Sequence, residues 1–140
     1  MKTKILLLFL LAVLVVFSIV ACGDNDAPIE LPLPEHEIQN IGTGDTVIYF
    51  QVTDAEGGIT LLRIHTDATT VSSALGGVGL IAGQQTDFGL MVTHVQGMRA
   101  DFDEDGAWWA FYINGEQANE GVDTTNVVAG TIYAFVFTPA

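Results

Sequence analysis

Runs of alternating apolar and polar residues predict a domain built mainly of β-strands. β-branched and aromatic residues are concentrated in runs that each predict one strand: residues 46–53, 59–66, 88–96, 107–113 and 131–138. In the first run, the alternation places Ile48, Phe50 and Val52 on the inward face. The glycine-rich residues 78–85 fit no single period, and residues 97–106 are polar and acidic, which indicates a loop.

One short helix is predicted after the second strand. Thr69 or Thr70 is a candidate N-cap, and Gly76 or Gly77 is a candidate end of the helix. The residues that would share its buried face are Val71, Ala74 and Leu75. Because one short helix cannot supply the crossovers of a parallel sheet, the pattern predicts an α+β fold with a mixed or antiparallel sheet packed on that helix.

The N-terminal residues have the composition of a bacterial lipoprotein signal peptide. Lys2 and Lys4 precede an unbroken apolar run over residues 5–17, and the segment 19–22, Ile-Val-Ala-Cys, looks like a lipobox. We therefore predict that residues 1–21 are removed and that Cys22 becomes the lipidated N-terminus. The alternative is a retained transmembrane anchor, but this apolar run of 13 residues is short against the roughly 20 that a spanning helix needs.

Composition and charge limit the partners of the mature protein. Prolines and acids are frequent in residues 22–45, which predicts an extended tether before a folded domain at 46–140. The chain has 17 Asp and Glu against 4 Lys and Arg. With no basic cluster, nucleic-acid binding is excluded, and a strongly acidic domain reaches the membrane through its lipid rather than its surface. This predicts an extracytoplasmic, membrane-anchored location.

The acidic loop is the first candidate for site chemistry. Asp101, Asp103 and Asp105 alternate and are followed by Gly106, which matches the first half of a calcium loop. The twelfth position is Tyr112 instead of the bidentate Glu, so a solvated acidic loop is favoured over a calcium site. Three histidines, His36, His65 and His94, are expected to be structural or on the surface. No nucleophile or phosphate-binding motif is present, so we do not expect an enzyme.

The fourth strand carries the candidate ligand site. Its alternation puts Trp109 inward and leaves Trp108 and Tyr112 on the second face, towards solvent, a partner or a ligand. We expect these two rings to lie along one planar ligand, with Trp109 and Asn114 beside them. Asn114 and Gly115 also favour a two-residue type I′ turn, because both central residues of that turn need positive φ.

Several segments resemble the transcobalamin C-terminal-like domain, which is common in bacterial lipoproteins of unknown function. They are residues 69–75, 92–97, 109–116, 121–123 and 129–135, and the resemblance extends over about 46–138. One departure is Gly130-Thr131, where the family usually has Gly-Asp. The resemblance implies a β-grasp-like fold, in which a mixed sheet wraps one helix, and a module that binds a soluble ligand. In transcobalamin this domain covers one side of cobalamin.

Two functions follow from these observations. The first is a membrane-tethered extracytoplasmic binding module for a soluble ligand, such as a cobalamin-like corrinoid, that passes its ligand to a transporter. The alternative is a cell-surface protein-interaction or adhesion domain, with or without a dependence on calcium. An exposed concave aromatic face at Trp108 and Tyr112 would favour the first function, and an ion at residues 101–105 would favour the second.

Overall fold

The structure is a computed structural model that describes residues 31–32 and 37–140. Cys22, His36 and the predicted signal peptide lie outside the described residues. None of the helices in the described part of the chain is long and apolar enough to cross a membrane. The elements, in chain order, are β1 (Gln39–Gly42), β2 (Thr46–Thr53), β3 (Ile59–Thr66), α1 (Val71–Gly77), β4 (Ile81–Thr86), β5 (Gly89–Val95), β6 (Met98–Arg99), α2 (Phe102–Asp105), β7 (Ala107–Ile113), β8 (Glu116–Gln117) and β9 (Ile132–Pro139).

A six-stranded mixed sheet forms the body of the domain, in the order β1-β3-β2-β9-β7-β8. β2 pairs with β3 as an antiparallel hairpin, in a register that runs from Thr46↔Thr66 to Thr53↔Ile59. β9 lies between β2, which it joins in parallel, and β7, which it joins antiparallel. The predicted α+β fold with a mixed sheet and one short packing helix is therefore confirmed.

A second sheet of three antiparallel strands, β4-β5-β6, lies beside the first. The ambiguous segment 78–85 becomes part of it, because β4 pairs with β5 from Ile81↔Val95 to Thr86↔Gly89. The segment 97–106, which we expected to be a loop, contains β6 and the single turn of α2. Those two elements form because Met98 pairs back onto Val95 and because a side chain caps the start of α2.

Part of the predicted tether belongs to the main sheet. Residues 39–42, expected to belong to the tether, form β1 and pair in parallel with β3 from Gln39↔Leu62 to Gly42↔His65. Ile38, directly before this strand, is only 5% exposed. The reason for the difference is tertiary: β3 offers an unpaired edge, and backbone hydrogen bonds to that edge do not require an apolar pattern in the added strand.

One hydrophobic core joins α1 to both sheets. Ile48, Phe50 and Val52 are at most 1% exposed, which confirms the predicted inward face of β2. Phe50 packs against Phe135 of β9, with ring centroids 5.9 Å apart. The other members of this core include Val71, Ala74 and Leu75 of α1. Burying each large apolar side chain contributes about 1.5–3 kcal/mol.

Local hydrogen bonds fix both ends of α1. Thr70 is the N-cap, and its Oγ1 accepts from the N–H of Ser73 at 3.3 Å. The helix ends at Gly77, as predicted, and Val78 is its C-cap. Two residues after the helix, Gly79 has a φ of 73°, which suits a residue without Cβ. The N–H of Gly79 donates to the carbonyl of Gly76, and that of Leu80 donates to the carbonyl of Leu75.

Candidate functional site

The N-terminal half of β7 places its two tryptophans in different environments. Trp109 is 6% exposed and packs edge-on against Phe137 of β9, with ring centroids 5.6 Å apart. Trp108 points to the other face of the sheet and is 44% exposed. The buried Nε1–H of Trp109 has no hydrogen-bond partner among the residues that the structure describes. The alternation predicted for β7 therefore holds at these two positions.

A pocket of about 340 Å³ opens where the two sheets meet. We call it the junction pocket and define it by the residues that line it: residues 91–93 of β5, residues 100–103 at the start of α2, and Trp108 and Trp109 of β7. β5 and α2 both contact β7 here, which brings the three segments together. The two tryptophans of the predicted ligand site thus share one pocket with Asp101 and Asp103 of the predicted acidic loop.

Three large apolar side chains remain exposed at the junction pocket. They are Met91, 49% exposed, Phe102, 63% exposed, and Trp108. Sequence reasoning missed Met91 and Phe102 as candidate site residues. The sequence contains one indication that Phe102 is exposed. It is the only apolar residue between Ala100 and Gly106, and aspartates flank it on both sides. Apolar side chains clustered on a surface usually mark a binding site.

The carboxylates of the acidic segment are arranged as a helix cap and an ion-pair network. Asp101 Oδ1 accepts from the backbone N–H groups of Asp103 and Glu104, both at 3.0 Å, which caps α2. Asp105 accepts from the backbone N–H of Asp101 and from Nε of Arg99, each at 2.9 Å. Arg99 also pairs with Glu104, and the hydrogen bonds to Glu104 and Asp105 raise the pKa of its guanidinium.

These contacts bear on the candidate metal residues. Asp101 and Asp105 accept hydrogen bonds from the backbone or from Arg99, while Asp103 remains exposed at the pocket. In the described part of the chain, no group of three or more His, Cys, Asp and Glu is placed to hold a metal ion. His65 contacts the side chain of Asn40 at 3.2 Å, and His94 contacts that of Thr93 at 3.0 Å.

Tyr112 and Asn114, the other two candidate ligand residues, lie outside the junction pocket. Tyr112 is four residues beyond Trp108 on the same strand, a separation of about 13 Å at 3.3 Å per residue. Tyr112 is half-buried, and Ala110 lies between it and Trp108. The two rings are therefore too far apart to form one compact stacking site.

Asn114 lies at the far end of β7, beside a second, more polar pocket of about 580 Å³. Hydroxyl groups around this pocket make hydrogen bonds to the backbone of the loop that lines it. The Tyr133 hydroxyl donates to the carbonyl of Asn126 at 2.8 Å and accepts from the N–H of Val128 at 3.0 Å. Thr125 Oγ1 donates to the carbonyl of Gly121 at 2.9 Å. These hydroxyl groups are thus occupied within the protein, and this pocket lacks the exposed aromatic side chains of the junction pocket, which is the stronger candidate site.

Comparison with solved structures supports the resemblance at the level of the fold. A protein from Ruminococcus gnavus ATCC 29149, described as "a putative metal binding protein", is 26% identical with a TM-score of 0.65, over 69% of this chain and 99% of that one. Haptocorrin, solved in complex with Cbi, is 14% identical with a TM-score of 0.57, over 71% of this chain. Because the match includes only 27% of haptocorrin, it concerns one part of that protein.

Comparison of sequences identifies the family. None of the curated proteins matches the chain at a significant level. Residues 60–135 match a family described as "Domain of unknown function (DUF4430)". That segment runs from β3 into β9 and includes every residue of the junction pocket. Because the match extends over more than half of the chain, the protein is a member of the DUF4430 family.

Proposed function

We propose that the domain is a binding module for a small soluble ligand and that the ligand docks in the junction pocket. The observation that carries the proposal is the exposure of Met91, Phe102 and Trp108 around one pocket. Leaving three such side chains in water loses the free energy of their burial, which a ligand would recover. The proposal is for binding without catalysis.

A corrinoid is the ligand that the fold favours. The supporting observation is the fold likeness to haptocorrin, whose structure holds Cbi, cobinamide. A corrinoid has a broad apolar face, which suits the rings of Trp108 and Phe102. The junction pocket provides one wall only, so we expect micromolar or weaker affinity unless another protein covers the opposite side of the ligand.

The predicted lipid anchor completes this proposal. A lipid on Cys22 would hold the module on the outer side of the bacterial cell membrane, where it would pass its ligand to a transporter. Cys22 lies outside the described residues, so the sequence alone supports this part. Two or more acyl chains make such an anchor stable, because each buried CH₂ contributes about 0.8 kcal/mol.

Equilibrium dialysis tests the binding function. The full chain, purified in a mild uncharged detergent, is dialysed against cobinamide and cobalamin, as wild type and as Trp108→Ala. Phe88→Ala is the matched control, because Phe88 is an aromatic residue that is 99% exposed at the turn between β4 and β5. We expect saturable binding that weakens at least fivefold in Trp108→Ala and is unchanged in Phe88→Ala. Absence of saturable binding by wild type, or equal binding by both variants, would contradict the corrinoid proposal.

Phe88 itself favours the second candidate function, a protein-interaction domain. An aromatic ring so fully exposed at a hairpin tip gains little within the folded chain but has much apolar surface to bury against a partner. The same two variants distinguish the functions. Attachment of the protein to isolated cell-surface material that is lost in Phe88→Ala, and kept in Trp108→Ala, would favour the interaction domain.

A further inference from the structure

The described part of the chain contains no free basic side chain near the junction pocket. Its two bases are Arg63 and Arg99. Arg63 lies over the ring of Tyr49, with its guanidinium carbon 5.8 Å from the ring centroid. Arg99 is paired with Glu104 and Asp105. Against these two bases, residues 37–140 carry thirteen Asp and Glu. The potential over this surface is therefore negative, which attracts cations and repels anions.

Asp103 brings this negative charge into the pocket itself. It lines the junction pocket, is exposed, and has no ion-pair partner among the described residues. The neighbouring acids already have partners. Asp101 caps α2, and Glu104 and Asp105 form ion pairs with Arg99. The arrangement leaves one uncompensated carboxylate beside the pocket, on the same short helix that carries Phe102.

The aromatic rings of the pocket add a second attraction for positive charge. Trp108 and Phe102 both line the pocket and are both well exposed, so a ligand in the pocket can contact both side chains. The face of an aromatic ring carries negative charge density and attracts ammonium groups, with Trp the strongest of the aromatic residues. Met91 completes the apolar lining with a polarisable thioether.

We propose that the junction pocket selects organic cations, such as quaternary ammonium or alkylated amine groups, through the rings of Trp108 and Phe102 and the carboxylate of Asp103. This inference rests on the proposed binding of a small soluble ligand in this pocket, and it names small organic cations, in place of a corrinoid, as the ligand class. A volume of about 340 Å³ accommodates a trimethylammonium group with a substituent. An anionic ligand of the same shape would meet Asp101 and Asp103 without a neutralising base.

A set of isosteric probes tests the charge preference directly. The full chain in an uncharged detergent at low ionic strength is titrated by calorimetry with choline, with its neutral isostere 3,3-dimethylbutan-1-ol, and with the anion 3,3-dimethylbutanoate. We expect choline to bind about tenfold tighter than the neutral alcohol, and the anion to bind most weakly. Rising salt should weaken choline binding and leave alcohol binding unchanged.

Three variants assign the preference to the named side chains. Asp103→Asn should weaken choline about threefold to tenfold with no change for the alcohol. Trp108→Leu, which keeps apolar bulk but removes the ring, should weaken choline more than the alcohol. Glu116→Gln is the control, because it removes an exposed carboxylate in β8, which is outside the junction pocket, and should change neither.

The outcomes separate this inference from the proposed function. Equal affinity for choline and the alcohol, or an unchanged choline affinity in Asp103→Asn, would overturn the cation preference. If the alcohol or a corrinoid still binds and is lost in Trp108→Leu, the binding function stands without charge selection. If none of the three isosteres binds, the cation site is wrong, whatever the dialysis with corrinoids shows.

Discussion

Asn114 and Ile132 exchange two hydrogen bonds, one of which uses the asparagine side chain in place of a strand carbonyl. The N–H of Asn114 donates to the carbonyl of Ile132, and the N–H of Ile132 donates to Asn114 Oδ1, both at 2.9 Å. This contact continues the pairing of β7 with β9 by one position beyond Ile113↔Tyr133. Asn114 also has φ 49°, and Gly115 φ 83°, as the predicted type I′ turn requires. Asn114, first a candidate ligand residue, thus closes the β7–β8 hairpin and ties it to β9.

Gly115→Val should destabilise the protein by more than about 1 kcal/mol, because a β-branched residue holds positive φ only at a cost. Gly121→Val is a matched control: both glycines have open space where a Cβ would be added, but Gly121 is not among the positive-φ positions. Urea unfolding of wild type and both variants provides the measurement. A Gly115→Val midpoint equal to that of Gly121→Val would show that the turn does not depend on positive φ.

Local sequence patterns predicted the elements whose signals lie within the element itself. β2, β3 and β7 have the bounds that alternation indicated, and the Asn-Gly pair predicted the hairpin. β1 was missed because its residues, Gln-Asn-Ile-Gly, contain a single large apolar side chain, and it is held by the edge of β3. α2 was missed because its four residues have no helical period, and capping by Asp101 is visible only in three dimensions.

The candidate site could be predicted only in part, for a related reason. Trp108, Trp109, Asp101 and Asp103 were each selected from the sequence, but as members of two separate sites. Their meeting depends on the approach of β5 and α2 to β7, a contact between the two sheets that no local pattern encodes. The fold class and these four residues could therefore be predicted from the sequence, whereas their assembly into one pocket could not.

Calcium should bind the acidic segment with millimolar or weaker affinity. Asp101 is used as a helix cap and Asp105 as the partner of Arg99, and the bidentate Glu of a calcium loop is absent. Calorimetric titration of the full chain with calcium checks this expectation. Micromolar calcium binding that disappears in Asp103→Ala would overturn this expectation. It would also favour a calcium-dependent interaction domain over the binding module.

Cys22→Ala should prevent lipidation and so prevent stable membrane attachment of the processed protein. The physical reason is that the strongly acidic domain has no basic surface with which to bind anionic headgroups. Fractionation of a bacterial host that expresses either form, followed by mass measurement of the products, tests the prediction. The anchor assignment would be wrong if the variant were processed and recovered with membranes to the same extent as wild type.

Asp123→Asn should remove a carboxylate whose hydrogen bonds connect α1 to the β4–β5 hairpin. We call this set of hydrogen bonds the Asp123 clamp. The carboxylate accepts from Gln85 Nε2 at 3.2 Å and from the N–H of Leu90 at 2.7 Å. Hydrogen bonds from Ser72 first, then from Gln85 and Leu90, lower the pKa of Asp123 below its ordinary value of 3.8. The group is half-buried, so we expect its loss to cost about 1 kcal/mol at neutral pH.

The sign of the pH dependence follows from that lowered pKa. Because the folded protein binds the proton less readily than the unfolded chain, the clamp stabilises the fold fully above the ordinary carboxylate pKa. This contribution is lost as pH falls through the lower, folded pKa. Unfolding free energies from urea titrations between pH 7 and pH 2 should therefore show a difference between wild type and Asp123→Asn that closes in acid.

Asp87→Asn is the control, because Asp87 is an exposed acid at the tip of the same hairpin, and its unfolding free energy should equal that of wild type at every pH. A gap for Asp123→Asn that stays constant down to pH 2 would mean that its charge does not hold the clamp.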